Sequence, residues 1–342
     1  MSVPMSISAS CPARWMGESC ESRLVSVIVP AMNRAGVMEP TLRSILEQDY
    51  RPIEIVLVDD GSTDRTREWV AAWTAAHEEL PGFEVRYIAH PSNLGAPAAR
   101  NSGLRASRGE FIQFLDSDDL LRGGKLRAQV DRFEESPDLD YVYGRTDQVG
   151  QSDRIMGHVG APMDMRWPAR NIPRHLWHVS GVLYRRQVCV DAGPWNEDLC
   201  SSEDWEYAAR IKSVSQRGQF LHGAVSLYVI HGGPQMIKEA SRRVTEARRR
   251  AIWSVLSLLE KAGDGDEGAR DMCARALVAN AIGFRSIGDA GEMRNALLDA
   301  MRIGGVATRI AAGGLYSASF VLPGGFFTAV LRMARVYRHA SS

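Results

Sequence analysis

The sequence predicts an α/β protein in which a mostly parallel β-sheet carries helices on both faces and is followed by an all-α region. Three observations lead to this prediction. Short apolar runs rich in Val and Ile alternate with helical stretches between Leu24 and Leu115. Polar and acidic residues directly follow the ends of these runs. Beyond Lys238 the apolar runs give way to long helical patterns.

The apolar runs of the first part are short, as expected of buried parallel strands, and turn residues bound them. Pro30 ends the first run, and Asp59-Asp60-Gly61 ends the second. Ser62-Thr63-Asp64 then supplies capping side chains for a helix. The predicted strands are Leu24 to Pro30, Ile53 to Val58, Val85 to Ala89 and Glu110 to Leu115, and the predicted helices are Glu39 to Gln48, Asp64 towards Glu79, and Ala96 to Ala106.

The rest of the chain is predicted to be less regular at first and helical afterwards. Short strands and loops are expected from Tyr141 to about His231, with one helix from Glu203 to Lys212. Gly288-Asp289 separates the last two predicted helices, which resemble a single helical hairpin. The helices expected after His231 are Arg242 to Glu260, Arg270 to Ile287 and Ala290 to Ile303.

The 342 residues include 41 Lys+Arg and 41 Asp+Glu, so the formal net charge is zero. This neutrality argues against a nucleic-acid binder that depends on bulk positive charge, and 45% hydrophobic residues exclude intrinsic disorder. The charge is unevenly distributed, since 16 basic and 10 acidic residues lie from His231 onward, against 25 and 31 before it. We therefore expect an acidic body and a basic C-terminal region with different partners.

The cysteines and the N-terminus bear on the cellular compartment. Five cysteines are scattered without a C-x-x-C pair, which argues against a structural zinc site or a disulfide framework. A reducing, cytoplasmic setting fits this pattern best. Residues 1–22 are Ser-rich and lack the apolar core of a secretory signal, so we expect a flexible leader there.

Two acidic motifs lie at predicted carboxyl ends of strands, where parallel α/β sheets bind their ligands. Asp116-Ser117-Asp118 presents hard carboxylate oxygens that suit Mg²⁺ or Mn²⁺. Alone, this tripeptide is as compatible with an ordinary turn, because aspartate is common in turns. The neighbouring pair Asp59-Asp60 favours a binding site, since adjacent carboxylates repel each other unless a cation or a donor-rich ligand holds them.

With these motifs the sequence resembles the family 2 glycosyltransferases of the GT-A fold. The resemblance implies an inverting, metal-dependent enzyme that uses a nucleoside-diphosphate sugar, with Mn²⁺ or Mg²⁺ as cofactor and UDP as the most frequent nucleotide. It implies a glycan or lipid-linked acceptor in cell-surface polysaccharide synthesis. The matching segments, in family order and spacing between about residues 23 and 232, are Val25 to Asn33, Val58 to Asp64, Asn93 to Gly95 with Ala99 to Gly103, Gly109 to Asp119, and Ser202 to Glu206.

The resemblance also implies roles for individual residues. Asp60 would accept a hydrogen bond from the base, and Asp118 would bind the metal with Asp116 as its partner. His231 would reach the metal or the diphosphate, with a plain loop histidine as the alternative. The implied nucleotide-binding residues are Pro30, Ala31, Asn33, Asp60, Gly95, Arg100, Asp116 and Ser117.

The implied catalytic base is Asp204, which would take the proton of the acceptor hydroxyl, with Glu203 and Trp205 against the acceptor. The alternative is that these carboxylates only form the polar first turn of a helix. Met32 departs from the family pattern, which has an aromatic residue before the Asn. His178 is expected only to pack or to line the acceptor pocket.

By this resemblance the chain divides into a leader at 1–22, a GT-A catalytic domain at 23–235 and a helical region at 236–342. Within the catalytic domain, 23–120 would bind the nucleotide and 121–235 the acceptor. A nucleotidyltransferase or sugar-nucleotide pyrophosphorylase is one alternative, but it should carry a Gly-rich basic loop after the first strand. A non-catalytic nucleotide-sugar-binding protein is another, but it should have lost the D-x-D or the base.

The segment from Ile310 to Leu331 has no charged residue and is followed by a basic end. Its length suits a bilayer span, but Gly313-Gly314 and Pro323 are expected to break it. One interpretation of 310–342 is peripheral contact with the inner face of the membrane, through apolar pieces and attraction to anionic lipid. Packing on the catalytic domain or a homodimer contact is the other.

Overall fold

A computed structural model describes residue 16 and residues 20–150, 154–163, 177–230, 241–262 and 267–321. These residues form two compact units. Both β-sheets lie in the first unit, and the helices after residue 241 lie in the second. The first unit takes its described residues from Met1–Met165, Trp177–Glu197 and Val214–Gly232, and the second takes them from Asp198–Ser213 and Gly233–Ser342.

The structure describes eleven strands, and the first four lie close to the predicted positions. The eleven strands are β1 Glu21–Ala31, β2 Ile53–Asp59, β3 Phe83–Ala89, β4 Gly109–Phe114, β5 Leu120–Leu121, β6 Tyr141–Tyr143, β7 Thr146–Val149, β8 Ile155–Val159, β9 Val182–Arg185, β10 Gly218–Phe220 and β11 Ser226–Val229. The described helices are α1 Glu39–Leu46, α2 Thr66–Ala75, α3 Ala96–Ala106, α4 Lys125–Glu135, α5 Arg186–Ala192, α6 Glu203–Val214, α7 Arg242–Lys261, α8 Glu267–Ser286, α9 Ala290–Ile303 and α10 Val306–Val321.

The main sheet has seven strands in the order β10-β6-β9-β4-β1-β2-β3. Strand β1 pairs in parallel with β2 and with β4, and β2 pairs in parallel with β3. Strand β9 is antiparallel to β4 and to β6. The carboxyl ends of β1, β2 and β4 therefore lie side by side, together with the amino end of β9. A second sheet has four strands in the order β5-β11-β7-β8.

Strand β1 shows why helices cover both faces of this sheet. Its buried residues alternate between the faces, as side chains of a strand must. Val25, Val27 and Val29 belong to the core cluster that includes residues of α1, α2 and α4. Ile28 instead meets α3, where a Cβ added to Gly103 would lie 2.3 Å from Ile28 Cγ2. The predicted mostly parallel sheet with helices on both faces is confirmed.

Two helices, α4 and α5, were not expected from the sequence pattern. Helix α4 begins at a fully buried lysine, Lys125, which interrupts the apolar stripe that signals a core-facing helix. The predicted capping by Ser62-Thr63-Asp64 also differs, because α2 begins at Thr66 with Arg65 as N-cap and without a side-chain cap hydrogen bond. Asp64 Oδ1 accepts from the Thr66 N–H at 3.0 Å, one residue before the cap.

The second unit is helical and has its own apolar core. The core of α7, α8 and α9 is built from side chains such as Leu256, Cys273, Leu277 and Leu297. Helix α9 begins as predicted after Gly288-Asp289, where Asp289 Oδ1 accepts from the Glu292 N–H at 3.0 Å.

Helix α10 corrects one expectation about the C-terminal segment. The helix continues through Gly313-Gly314, which was expected to break it. The remainder of 310–342, including Pro323, lies outside the described residues. Over the part of the chain that the structure describes, every helix falls short of the length or the hydrophobicity that crossing a membrane requires.

Candidate active site

The loops after β1 and β2 are tied together by hydrogen bonds. Asn33 follows β1 with a left-handed backbone (φ 53°), a conformation that asparagine tolerates. Its N–H donates to Ser62 Oγ at 2.8 Å, and its Oδ1 accepts from the Thr63 N–H at 2.8 Å. Ala31, the last residue of β1, accepts from the Asp60 N–H at 2.8 Å. These bonds bring the loops after β1 and β2 together at one edge of the sheet.

Asp60 is buried at this edge and is held by groups of the protein itself. Its Oδ1 contacts His90 Nδ1 at 2.7 Å and accepts from the Leu94 N–H at 2.9 Å. Its Oδ2 accepts from the N–H of Gly95 at 2.7 Å, where Gly95 has the left-handed φ of 96° that glycine permits. Because a carboxylate oxygen has two lone pairs, Oδ2 keeps one acceptor position among the described contacts.

Asp59 is also satisfied within the protein. Its Oδ1 accepts from the Ser62 N–H at 2.8 Å, and its Oδ2 accepts from the Tyr87 hydroxyl. Burial, followed by this bond to Asp59, raises the pKa of Tyr87 to about 12. The expectation that the Asp59-Asp60 pair needs a cation or ligand to hold it is therefore wrong, since protein donors meet both carboxylates.

Asp116 follows β4 and forms an ion pair with a buried arginine of α3. Arg100 Nη2 donates to Asp116 Oδ1 at 2.8 Å, and the guanidinium lies 4.6 Å from the centroid of the Trp195 ring. Burial opposes ionisation of Asp116, but the charges of Arg100, His178 and Arg34 outweigh it and hold the pKa of Asp116 below its ordinary value. This carboxylate is thus kept ionised.

Asp118 and Ser117 are linked to the loop after β1 through Arg34. Arg34 Nη2 lies 3.3 Å from Asp118 Oδ2, and Arg34 Nε donates to Ser117 Oγ at 3.3 Å. The Arg34 N–H in turn donates to Thr66 Oγ1 at 2.9 Å. One arginine therefore connects the loops that follow β1 and β4 and the start of α2.

The third aspartate of this loop, Asp119, is fully buried and lies beside His178. Asp119 Oδ2 accepts from Ser180 Oγ at 3.3 Å and lies 3.5 Å from His178 Nδ1. Its Oδ1 accepts from the Val229 N–H of β11 at 3.3 Å. Burial, together with the charges of Asp116 and Asp118, raises the pKa of Asp119 well above its ordinary value.

Ligand atoms of Asp116, Asp119 and His178 all lie within 4.8 Å of one another. Carboxylate oxygens are the ligands that Mg²⁺ and Mn²⁺ prefer, and an imidazole nitrogen is also a common metal ligand. A cation would also relieve the repulsion that raises the pKa of Asp119. These residues therefore fit a divalent metal ion.

Sequence reasoning missed His178 as a member of this cluster. His178 lies just before β9, and β9 is antiparallel to β4, so the start of β9 lies at the carboxyl end of β4. A sequence pattern predicts a strand at this place but not its direction within the sheet. The sequence therefore indicates only that a polar residue, His178, lies next to a strand.

The remaining predicted residues are Glu203, Asp204, Trp205, Pro30 and His231. Glu203 and Asp204 form the first turn of α6 in the second unit, and Asp204 Oδ1 accepts from the Trp205 N–H at 2.7 Å. Trp205 is partly buried and packs against the core clusters of that unit. Pro30 is partly buried near the end of β1. His231 lies outside the described residues.

Comparison with known proteins identifies the first part of the chain. The model of the family described as "Glycosyl transferase family 2" matches residues 26–191. The glycosyltransferase GlyG of Streptococcus pneumoniae serotype 4 is 34% identical over 132 residues, which is 39% of this chain and 42% of GlyG. The chain thus spans less than half the length of that relative.

Solved structures resemble the chain over most of its length. S. aureus TarS 1–349 in complex with UDP-GlcNAc aligns with a TM-score of 0.66 and 21% identity, covering 91% of each chain. The mannosyltransferase PcManGT from Pyrobaculum calidifontis, in complex with GDP-Man and Mn²⁺, aligns with a TM-score of 0.52 and 21% identity, covering 90% of this chain and 83% of that one. These likenesses show the GT-A fold. The likeness to these structures concerns the fold, and the family model identifies residues 26–191 as a glycosyltransferase family 2 domain.

Proposed function

We propose that the protein transfers a sugar from a nucleoside-diphosphate donor, with UDP as the nucleotide, to a hydroxyl group of a glycan or lipid-linked acceptor. The main support for the proposal is that Asp60, Asp116 and Asp118 lie at the same edge of the sheet, at the carboxyl ends of β1, β2 and β4. This edge is where parallel α/β folds bind nucleotides. The solved neighbours in complex with UDP-GlcNAc and with GDP-Man support the same class of donor.

Asp60 is the proposed contact to the base. The remaining acceptor position on its Oδ2 suits a single N–H donor, such as the imide N–H of uracil. Because His90, Leu94 and Gly95 hold the carboxylate, it does not need to be reoriented when the base binds. The other proposed nucleotide contacts are Pro30, Ala31, Asn33, Gly95, Arg100, Asp116 and Ser117.

A divalent ion, Mn²⁺ or Mg²⁺, is the proposed cofactor. Asp116 and Asp118 are its proposed ligands, with Asp119 and His178 beside them and His231 as a further ligand. When bound, the ion neutralises charge on the leaving diphosphate. Within the chain, Arg100 keeps Asp116 ionised, and Arg34 holds Ser117 and Asp118 against the loop that contains Asn33.

Asp204 is the proposed general base, and Glu203 and Trp205 are proposed acceptor contacts. A carboxylate that takes the acceptor proton during attack contributes about 10²–10⁴-fold to the rate. A single displacement of this kind inverts the anomeric centre and requires no second carboxylate as a nucleophile.

The proposed setting is assembly of cell-surface glycans at the cytoplasmic face of the membrane. Cys20, Cys189, Cys200 and Cys273 are free thiols, which supports a reducing compartment. The basic C-terminal end supports peripheral contact of 310–342 with anionic lipid, and a homodimer contact is the competing proposal.

A donor panel tests this proposed function. The wild-type protein is incubated with UDP, GDP and dTDP sugars in the presence of Mn²⁺, and nucleotide release is measured. We expect release of UDP from a UDP sugar, whereas a pyrophosphorylase would convert the donor and added pyrophosphate into the nucleoside triphosphate and the sugar 1-phosphate. Asp204→Asn should bind the donor nucleotide and lose transfer, and full activity of this variant would reject Asp204 as the base.

A further inference from the structure

Helix α4 begins with a lysine that is completely buried. Lys125 is 0% exposed, and its Nζ donates to Gln113 Oε1 at 2.6 Å and to Gln129 Oε1 at 2.8 Å. Neither partner is charged, and in the described part of the chain no carboxylate forms an ion pair with Lys125. Burial without a countercharge lowers the pKa of Lys125 to about 7. A neutral amine still has the two N–H donors that these bonds require.

A buried lysine fixes the orientation of both glutamine side chains. An ammonium has only donors, and a neutral amine uses both of its N–H groups in these two bonds, so in either form each carboxamide turns its oxygen towards Nζ and its NH₂ group away from it. The NH₂ group of Gln113 donates to the backbone oxygen of Ser180 at 3.1 Å. The NH₂ group of Gln129 donates to Val142 O at 2.7 Å and to Gly181 O at 3.3 Å.

The oxygens of Ser180 and Gly181 belong to the short turn that precedes β9, whereas that of Val142 lies in β6. Residues Val179–Gly181 form a single 3₁₀ turn, and all three are buried. Ser180 in this turn contacts His178 Nδ1 at 2.7 Å and donates to Asp119 at 3.3 Å. The hydrogen bonds therefore run without interruption from Lys125 to the edge of the candidate metal site.

We propose that Lys125 is a positioning residue, which acts through Gln113 and Gln129 to fix the turn that holds His178 and Ser180 beside Asp119. Among the described residues, Lys125 Nζ forms its hydrogen bonds with Gln113 and Gln129 and not with a proposed metal ligand. The inference rests on the proposed function, because it concerns the metal site of that function.

Lys125→Met tests the inference, because methionine keeps the length of the side chain and removes its donors. The amides of Gln113 and Gln129 are then free to turn over, and the turn at Val179–Gly181 loses its fixed partners. Mn²⁺ affinity is measured by titration of the full-length protein, with free Mn²⁺ read by electron paramagnetic resonance, and melting is measured without metal. Arg127→Met, on the same helix and outside this network, is the matched control.

We expect Lys125→Met to bind Mn²⁺ about tenfold more weakly, the lower end of what loss of outer-shell support of a metal ligand costs. Its melting temperature at pH 7 should not fall below that of the wild type, because a buried, uncompensated amine is removed. Arg127→Met should retain the wild-type affinity. If Lys125 served only to pack the core, Lys125→Met would have a lower melting temperature and an unchanged Mn²⁺ affinity. This result would overturn the inference.

If Lys125→Met does not fold, Ser180→Ala tests the same connection at its other end. This variant removes the hydroxyl through which the turn contacts Asp119. Unchanged Mn²⁺ affinity in Ser180→Ala would overturn the inference, and an approximately tenfold loss would support it. Absence of Mn²⁺ binding by the wild type would overturn the metal part of the proposed function and this inference with it. Equal affinity of the wild type and a folded Lys125→Met would overturn the inference alone.

Discussion

Asp116 and Asp119 lie three positions apart in one loop, yet their surroundings shift their pKa values in opposite directions. Both are subject to desolvation, but Asp116 has Arg100 as an ion-pair partner at 2.8 Å. Asp119 instead meets the like charges of Asp116 and Asp118, and neutral donors from Ser180 and Val229. The loop therefore holds one carboxylate that stays ionised and another that an added cation would ionise.

His178 gives the first prediction at the scale of single residues. His178→Ala should weaken Mn²⁺ binding by about tenfold or more, because it removes one of the three groups that converge within 4.8 Å. Equilibrium titration with Mn²⁺ measures the effect. The control is His222→Ala, an exposed histidine outside this cluster. Equal Mn²⁺ affinities of the wild type and His178→Ala would mean that the aspartates bind the ion without His178.

The pKa of Lys125 gives a prediction for the pH dependence of stability. Its folded-state pKa of about 7 lies below the ordinary 10.5, so between these values the unfolded chain binds the extra proton. The free energy of unfolding therefore rises with pH across this window, by at most roughly 1.4 kcal/mol per pH unit. Below pH 7 both states are protonated, and the penalty for the buried charge is constant.

Chemical denaturation of the wild type and Lys125→Met at pH 7 and pH 9.5 checks this prediction. The difference between the two proteins isolates Lys125 from other titrating groups. We expect the wild type to gain stability relative to the variant at the higher pH. A difference that does not change with pH would mean that Lys125 titrates normally.

The residues of the candidate site could be predicted from sequence where they follow strands in chain order. Asp60 and Asp116 are of this kind, because parallel strands bring their carboxyl ends to one edge. Arg34 and His178 are not, because their contacts depend on loop geometry and on the antiparallel direction of β9. The buried partners of Lys125 could not be predicted either, because a lysine at the start of a helix normally indicates a solvated position.

At the scale of elements, the packing of α3 on β1 depends on the small size of Gly103. A Cβ at this position would lie 2.3 Å from Ile28 Cγ2, closer than atoms approach without a shift. Gly103→Ala should therefore lower the free energy of unfolding by about 1–3 kcal/mol, the usual cost of overpacking a core. Denaturant unfolding measures this change.

Gly123→Ala is the matched control, because a Cβ there would meet no atom within 4 Å. Its stability should stay within about 0.5 kcal/mol of the wild type or increase slightly. Equal stability of the wild type and Gly103→Ala would mean that α3 shifts away from β1 at no cost, contrary to this packing.

Elements with a clear period or clear end signals could be predicted from sequence, whereas α4 and α10 could not. Helix α3 was predicted with its observed bounds of Ala96–Ala106. In α4 the buried Lys125 and Gln129 interrupt the apolar stripe, because they serve a polar network in the core. In α10 the packing of Ala312 in the helical core outweighs the weak helix propensity of Gly313-Gly314.

At the scale of the whole molecule, the charge is divided along the chain. The basic residues after His231 outnumber the acidic ones by 16 to 10, and the last three arginines follow a long uncharged segment. We predict that the full-length protein binds vesicles containing anionic lipid and does not bind neutral vesicles. Each basic residue near such a surface contributes about 1 kcal/mol.

The variant with Arg332→Gln, Arg335→Gln and Arg338→Gln tests this prediction by vesicle flotation. The three substitutions lie outside the described helices. The variant should lose most of the binding, and its difference from the wild type should be larger at low ionic strength, where salt screens the charges less. Two results would contradict this prediction: equal binding of the variant and the wild type, or no binding of the wild type to either kind of vesicle. The basic end would then be assigned to protein contacts such as a dimer.

Calorimetric titration of UDP into the wild-type protein with Mn²⁺ and, separately, with a chelator tests whether a metal ion joins the nucleotide to the candidate active site. We propose that the base binds at Asp60 and the diphosphate at a metal held beside Asp116. We therefore predict that Mn²⁺ tightens UDP binding at least about tenfold, equivalent to 1.4 kcal/mol. UDP binding of equal strength with the chelator, or no UDP binding in either condition, would contradict this proposal.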